Sequence, residues 1–282
     1  MTQRSPALRG YLAVTANYWV FTLTDGALRM LVVLHFHQLG YDALAIALLF
    51  LLYELLGIMT NLGGGYMAAR AGLTATLLGG TALQVLALGA LAAPTAWLTV
   101  AYVMATQALS GIAKDLNKMS AKSSVRVLVP PGQPDGRLLR WTAALTGSKN
   151  ALKGAGFFVG GVLLAALGFR GALVALAAVL TASLLALAAA LPGRLPRPRA
   201  RPALRGLFAR TPAINVLAGA RFFLFGARDV WFVVALPVYL SAQAGWGFET
   251  VGGVLAAWVI GYGAVQALAP RLLPAPARAA PQ

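Results

Sequence analysis

The sequence contains no cysteine, and its 282 residues include only seven acidic residues and two histidines. The absence of cysteine excludes disulfide scaffolds, thiolate metal sites and thiol enzymes. Charged residues make up 11% of the chain and hydrophobic residues 59%, whereas a soluble domain has about 25% charged and about 45–50% apolar residues. A water-soluble globular domain is therefore excluded.

The few charges that are present are mostly positive, with a formal net charge of +16. Nucleic-acid-binding proteins carry their basic residues on a polar, soluble surface, which so apolar a chain does not offer. We therefore expect no nucleic-acid partner. A basic and very apolar chain is typical of a polytopic protein in the lipid bilayer, with cationic loops.

Eight stretches are long and apolar enough to be membrane spans, since a transmembrane helix needs about 20 mostly apolar residues. They are 11–39, 44–69, 73–93, 96–113, 141–167, 171–191, 212–240 and 247–270. The sequence therefore predicts an all-α polytopic membrane protein with eight transmembrane helices.

The distribution of lysine and arginine predicts the orientation of these helices. Seventeen basic residues lie in the two termini and in every second connection, whereas the alternate connections contain only Arg170. Because cytoplasmic loops carry the excess of basic residues, we expect both termini to be cytoplasmic.

The order of the spans predicts two unequal parts. A six-helix bundle, 1–191, is followed by a basic, proline-rich cytoplasmic linker, a two-helix partial bundle and a cytoplasmic tail, at 192–210, 211–270 and 271–282. A shift of 204 residues places the first two spans on the last two and aligns Asp25 with Asp229. Six spans, a cationic linker and a restarted pattern resemble the major facilitator superfamily, whose permeases have two six-helix halves. We therefore expect the chain to be C-terminally truncated by four helices.

Eight charged residues inside the predicted spans are the candidate functional groups, because each costs roughly 2.5–3.5 kcal/mol at a helix centre. They are Asp25, Arg29, Glu54, Lys149, Lys153, Arg221, Arg228 and Asp229. The positive charges exceed the negative by two, so a cavity lined by these groups favours an anion.

Two of the candidate pairs have the i, i+4 spacing that places side chains on one helix face. Asp25 and Arg29 form either an internal ion pair or a substrate-binding arginine oriented by an aspartate. Lys149 and Lys153 repel each other and so predict a shared anion, unless Lys149 extends to the cytoplasmic interface.

The remaining charged residues of the predicted spans each have their own interpretation. Arg221 and Arg228 are seven residues apart and share a face, which favours anion binding, while Asp229 either pairs with another helix or carries protons. Glu54 shares a face with Asn61, and either carries a coupling proton or makes interhelical hydrogen bonds.

The cytoplasmic side carries a candidate gate. Gly65 to Gly72 resembles the major facilitator loop signature G-x-x-x-D-R-x-G-R, which includes Arg70 but departs at Ala69 and Leu73. The lysine-rich stretch 114–122 is expected to be a loop after the fourth span. Lys114, Asp115 and Lys118 there either anchor the helix or gate the entry of an anion.

Four longer strings closely resemble the ArsJ-type organoarsenical efflux permeases, a branch of the major facilitator superfamily. They are YLAVTANYWVFTLTDGALRMLVVLHFHQLGY, ALSGIAKDLNKMSAKS, LTGSKNALKGAGFF and FLFGARDVWFVVALPVYL, within residues 11–270. The resemblance implies export of 1-arseno-3-phosphoglycerate by alternating access across the bacterial inner (cytoplasmic) membrane, which confers arsenate resistance. It also implies a functional link to the glyceraldehyde-3-phosphate dehydrogenase that makes this anion.

Other functions stay open at this point. The chain could be a permease for another small organic anion or phosphate ester, or an inactive fragment of a permease. An enzyme is not expected, because the sequence contains neither a His/Glu metal cluster nor a nucleophile triad. No cofactor and no metal is expected.

Overall fold

The computed structural model describes residues 6–128, 135–191 and 212–272. These residues are helical with short connections and form no strand, so the chain is an all-α polytopic membrane protein, as predicted. The predicted linker 192–210 lies outside the described residues.

The first part of the chain begins with one long helix. α1 runs over Pro6–Gln38 and is followed by α2 over Ala43–Leu49 and α3 over Leu51–Ala71. Asp42 caps α2 with a carboxylate that accepts a hydrogen bond of 2.7 Å from the Ala45 amide, as preferred at helix N-termini. The span predicted at 44–69 is therefore two helices that adjoin at Phe50.

Two further helices complete this region. α4 covers Leu73–Leu91, a 3₁₀ turn covers Thr95–Trp97, and α5 covers Val100–Leu128. Gly72 connects α3 to α4 with a φ of 92°, which glycine adopts without strain.

The loop predicted for 114–122 is wrong, because α5 continues through it. Lysine, alanine, leucine and methionine are strong helix formers, and neither glycine nor proline interrupts the stretch before Pro130. The charged residues of this stretch therefore stay on a helix that packs against α3 and α4.

α6 is a helical run over Asp135–Ala190 with a sharp break at Gly168. Gly168 has a φ of 67° and a ψ of 177°, a conformation that residues with a Cβ rarely adopt. The break separates a first limb, 135–167, from a second limb, 169–190, in agreement with the two spans predicted there.

The second part of the chain has a helix interrupted by a π-helical segment. α7 covers Pro212–Arg228, the π-helix Asp229–Ala235 follows, and α8 covers Leu236–Ala242. α9 covers Phe248–Leu272. π-helical segments occur frequently at functional sites.

Five stretches of the described residues are long and apolar enough to cross a membrane: Leu8–Gln38, Ala43–Asn61, Leu73–Leu91, Ser148–Ala190 and Phe248–Val265. The fourth contains the break at Gly168. The spans predicted at 96–113 and 212–240 are helical but are not among the five. The helix of the span at 96–113 continues into charged residues. The helix of the span at 212–240 leaves the α-helical conformation at Asp229.

Glycines bring the first limb of α6 close to helices on both sides. A Cβ at Gly160 would lie 2.6 Å from the Ala27 carbonyl oxygen of α1, and a Cβ at Gly154 would lie 2.9 Å from the Ala256 carbonyl oxygen of α9. Gly156 likewise packs against the backbone of α1. The Gly156–Gly160 step is therefore a helix-packing motif, as its spacing predicts.

Buried hydrogen bonds link four helices at Thr81 of α4. Its hydroxyl accepts hydrogen bonds from the amides of Asn17 at 3.1 Å and Asn117 at 2.9 Å, and Ser183 donates to Asn17 at 3.1 Å. Polar contacts of this kind hold helices together in a bilayer. They fix α5, and with it the charged residues of its middle, relative to α1.

Candidate functional site

A first cavity of about 510 Å³ lies between α1, α2, α3, α5, α7 and the π-helix. Most of its lining is apolar. Its charged and polar lining residues are Arg29, Glu54, Asn61, Lys114, Asp115 and Lys118. Glu54 and Asn61 line it together, as their shared helix face predicts.

The central contact in the first cavity is an ion pair between Arg29 of α1 and Glu54 of α3. The Arg29 side chain is 4% exposed, whereas that of Glu54 is 40% exposed. The carboxylate is therefore open to the cavity, and the guanidinium lies behind it.

Two lysines of α5 extend this pair into a network. Lys114 Nζ lies 3.4 Å from Glu54 Oε2 and 4.0 Å from Asp115 Oδ2, and Lys118 Nζ lies 2.9 Å from Asp115 Oδ1. Asp115 itself is buried. These contacts join three cations to two carboxylates in one network.

Tyr53 connects the network to Asp25. Its hydroxyl donates a hydrogen bond of 2.7 Å to the Asp25 carboxylate. Its ring centroid lies 4.4 Å from the Arg29 guanidinium carbon and 4.0 Å from Lys114 Nζ, within the range of cation–π attraction. One buried aromatic ring thus positions both cations that contact Glu54.

A second cavity, of about 340 Å³, lies between the first limb of α6, α7, the π-helix and α9. Its cations are Lys149, Lys153 and Arg228, and its described lining contains no Asp or Glu. The other lining residues are Asn150, Phe157, Leu224, Phe232, Val233, Trp258, Val259 and Tyr262. The cavity is therefore cationic with a mainly aromatic and aliphatic wall.

Lys149 of the second cavity is surrounded by other cations. Lys149 is repelled by Lys153 and by Lys114, Lys118 and Lys122 of α5. Lys153 Nζ lies 5.9 Å from the centre of the Phe157 ring. A bound anion would offset this repulsion.

The structure divides the predicted substrate-binding cations between the two cavities. Arg29 lies in the first, and Lys149, Lys153 and Arg228 lie in the second. The cavities adjoin at Val233 of the π-helix, which lines both. The side chains of Arg221 and Asp229 lie outside the described residues.

The structure also places the remaining predicted residues in different locations. Lys114, Asp115 and Lys118 join Glu54 in the first cavity, and Asp25 reaches this network through Tyr53. Arg70 lies in the last turn of α3, where it is exposed, and is not part of the described lining of either cavity. The described residues contain no group of three His, Cys, Asp or Glu that could hold a metal ion.

The sequence analysis did not identify the aromatic residues of either cavity. Tyr53 precedes Glu54 but carries no distinctive pattern. Trp258 and Tyr262 have the i, i+4 spacing of one helix face, yet aromatic residues at this spacing are also common in lipid-facing helices. Their role depends on which helix packs against them.

The helical arrangement is similar to that of solved transporter structures. A peptide transporter POT in complex with sulfate is 20% identical over 84% of this chain and 47% of its own, with a TM-score of 0.55. Tetrameric PepTSo2 is 15% identical over 97% and 56%, with a TM-score of 0.58. A D-xylose–proton symporter is 16% identical over 95% and 66%, with a TM-score of 0.52.

These similarities show that the chain shares its helical fold with these solved transporter structures. The chain spans about half the length of the peptide transporters that it matches. No protein-family model and no curated protein matches the chain.

Proposed function

We propose that this chain belongs to a secondary-active transporter of small organic anions, with the second cavity as its anion site. The observation that supports this most directly is that Lys149, Lys153 and Arg228 line one cavity. Arginine favours two-point contacts with an oxyanion, and lysine contributes a compact charge.

The transport mechanism is alternating access, in which two halves of the permease move around a central site. Export of an anion is favoured by a membrane potential that is negative inside. Asp25, Glu54 and Asp229 are the groups proposed for proton coupling. Arg70, Lys114, Asp115 and Lys118 are proposed as the gate on the cytoplasmic side.

The substrate proposed from the sequence resemblance is 1-arseno-3-phosphoglycerate, so that export confers arsenate resistance. The membrane is then the bacterial inner membrane, with both termini cytoplasmic, and a glyceraldehyde-3-phosphate dehydrogenase supplies the substrate. Phosphate and arsenate groups suit the cations of the second cavity. Its aromatic wall favours the alternative, a different organic anion with a less polar body.

Everted membrane vesicles test this proposal. The vesicles contain the 282-residue chain and are supplied with the dehydrogenase, its aldehyde substrate, NAD and arsenate. The expected result is arsenic accumulation that stops when the dehydrogenase is omitted. Accumulation of a plain phosphate ester instead would support the alternative substrate.

Single variants then locate the site. Lys149→Gln, Lys153→Gln and Arg228→Gln should each reduce uptake by about tenfold or more, with unchanged amounts of protein in the membrane. Arg170→Gln is the matched control, because Arg170 is exposed and lies outside the described lining of both cavities. Full uptake by all three cavity variants would contradict the assignment.

A further inference from the structure

The described lining of the second cavity has two chemically different parts. Its cations belong to α6 and to the end of α7, whereas most of its aromatic residues belong to the π-helix and α9. The aromatic residues are Phe232, Trp258 and Tyr262, together with Phe157 of α6. Ligand pockets combine mainly apolar walls with a few polar groups that fix orientation. The cavity, of about 340 Å³, therefore has one part for a charged group and another for an apolar body.

The contact between the first limb of α6 and α9 sets the relative direction of the two helices. A Cβ at Gly154 would lie 2.9 Å from the Ala256 carbonyl oxygen, whereas a Cβ at Gly263 would lie 3.2 Å from the Cβ of Asn150. The later residue of α9 thus lies beside the earlier residue of α6. The two helices therefore pack antiparallel.

This register places aromatic residues of α9 beside the lysines of α6. Trp258 lies at the level of Lys153 and Tyr262 at the level of Lys149, to within one helical turn. Residues four apart share a helix face, so Lys149, Lys153 and Phe157 follow one another along one side of α6. Lys153 Nζ lies 5.9 Å from the centre of the Phe157 ring. A charged group bound by the lysines therefore has aromatic surface directly beside it.

The rings of Phe232 and Trp258 form a continuous apolar wall between the π-helix and α9. Their centroids are 6.4 Å apart and their planes are tilted by 37°. Trp258 is 67% exposed, so it has ring surface that a ligand can cover. Aromatic rings pack on one another in offset or edge-on contacts. The wall therefore suits a planar aromatic body better than a small polar one.

We propose that the second cavity binds aromatic organic anions, with the acidic group at Lys149 and Lys153 and the ring against Trp258 and Phe232. This inference rests on the anion site proposed above and adds a further class of ligand to it. The lysines attract any anion, whereas the wall distinguishes between anions of the same charge by the apolar surface that they bury. Trp258 is assigned as the residue that determines specificity for the ring.

Two sulfonates that differ only in their apolar part test the proposal. Benzenesulfonate and methanesulfonate carry the same single charge on the same group, and both are fully ionised at neutral pH. Calorimetry with the purified 282-residue chain in lipid nanodiscs measures their affinities, with sulfate as a small reference anion and empty nanodiscs to correct for partition into lipid. We expect all three anions to bind, and benzenesulfonate to bind at least about tenfold more tightly than methanesulfonate.

Trp258→Ala is the decisive variant, because it removes the ring and leaves the lysines in place. It should reduce the preference for benzenesulfonate to less than about threefold and change the affinity for sulfate by less than about twofold. Trp258→Phe should keep most of the preference. Trp231→Ala is the matched control and should keep all of it, since Trp231 is 72% exposed on the π-helix and lies outside the described lining of both cavities. A full preference in Trp258→Ala would overturn the inference.

A second protein separates this inference from the proposed function. In a chain with both Lys149→Gln and Lys153→Gln, sulfate and both sulfonates should each bind at least about tenfold more weakly. Unchanged sulfate affinity in this protein would contradict the proposed anion site. If sulfate binding is lost there but the unmodified chain binds the two sulfonates equally, the aromatic site is refuted and the anion site stands. An unmodified chain that binds none of the three anions would contradict both.

Discussion

Both cavities are lined by lysine and arginine, but the residues around these cations differ. In the first cavity, Arg29, Lys114 and Lys118 contact carboxylates of the chain itself. In the second, Lys149, Lys153 and Arg228 share a described lining without a carboxylate. The described lining of the first cavity therefore contains charges of both signs, whereas the charged residues in the described lining of the second are cations.

This difference shows that a count of basic residues within spans does not locate an anion site. The carboxylates that reach the first cavity come from α3 and α5, whereas the part of the second cavity that the structure describes has no carboxylate in its lining. The π-helix separates the two environments through Val233. Cations that the sequence alone groups together therefore line two different cavities on either side of this short segment.

The largest expected effect comes from reversing one charge in the second cavity. Lys153→Glu should weaken sulfate binding at neutral pH by at least about hundredfold, because it both removes an attraction and adds a repulsion at short range. Lys118→Glu, in the first cavity, should change it by less than about threefold. Equal losses in the two variants would mean that the cavities act as one anion site.

A smaller effect is expected from filling the helix contact that forms the second cavity. Gly154→Ala should lower the free energy of unfolding by about 1–3 kcal/mol, since its Cβ would approach the Ala256 carbonyl oxygen to 2.9 Å. Chemical denaturation in detergent measures the change.

Gly261→Ala is the matched control for this variant. A Cβ at Gly261 would have no atom of another described helix within 4 Å, so the substitution should be neutral or stabilise α9 by up to about 1 kcal/mol. Similar unfolding curves for the two variants would contradict a close contact between α6 and α9 at Gly154.

The smallest expected effect distinguishes the two roles of Tyr53 in the first cavity. Tyr53→Phe removes the hydrogen bond to Asp25 and keeps the ring beside Arg29 and Lys114, whereas Tyr53→Leu removes both. The leucine variant should be less stable than the phenylalanine variant by about 0.5–2 kcal/mol, from lost cation–π contacts. Thermal unfolding of the two proteins side by side would reveal equal stability if the ring contributes nothing.

Much of the fold was predictable because apolar length and helix-breaking residues are local properties. The break at Gly168 falls between the spans predicted at 141–167 and 171–191, and the Gly156–Gly160 step correctly indicated close packing. The prediction of a loop for the lysine-rich stretch after the fourth span was wrong, because α5 continues through it. Hydropathy alone could not show that Lys114 contacts Glu54 and that Lys118 contacts Asp115.

The candidate residues, like the helices, could be predicted from the sequence only in part. Charged residues inside apolar spans stand out by their energetic cost, so the sequence alone proposes Arg29, Glu54, Lys149 and Lys153 as candidates. The side chains that contact these residues could not be predicted from the sequence. Spacing along one helix pairs Asp25 with Arg29, whereas the structure joins Arg29 to Glu54 of α3 and Asp25 to Tyr53.

The sequence by itself determined that this is a helical membrane protein with an excess of positive charge among the charged residues of its predicted spans. These properties follow from residue types and from periodicity within single segments. Only the tertiary structure decided which of the cations contact Glu54 and Asp115 and which line the second cavity together. Coulombic interactions depend on distances between helices, and those distances are set by the glycine contacts and polar links through which the helices pack.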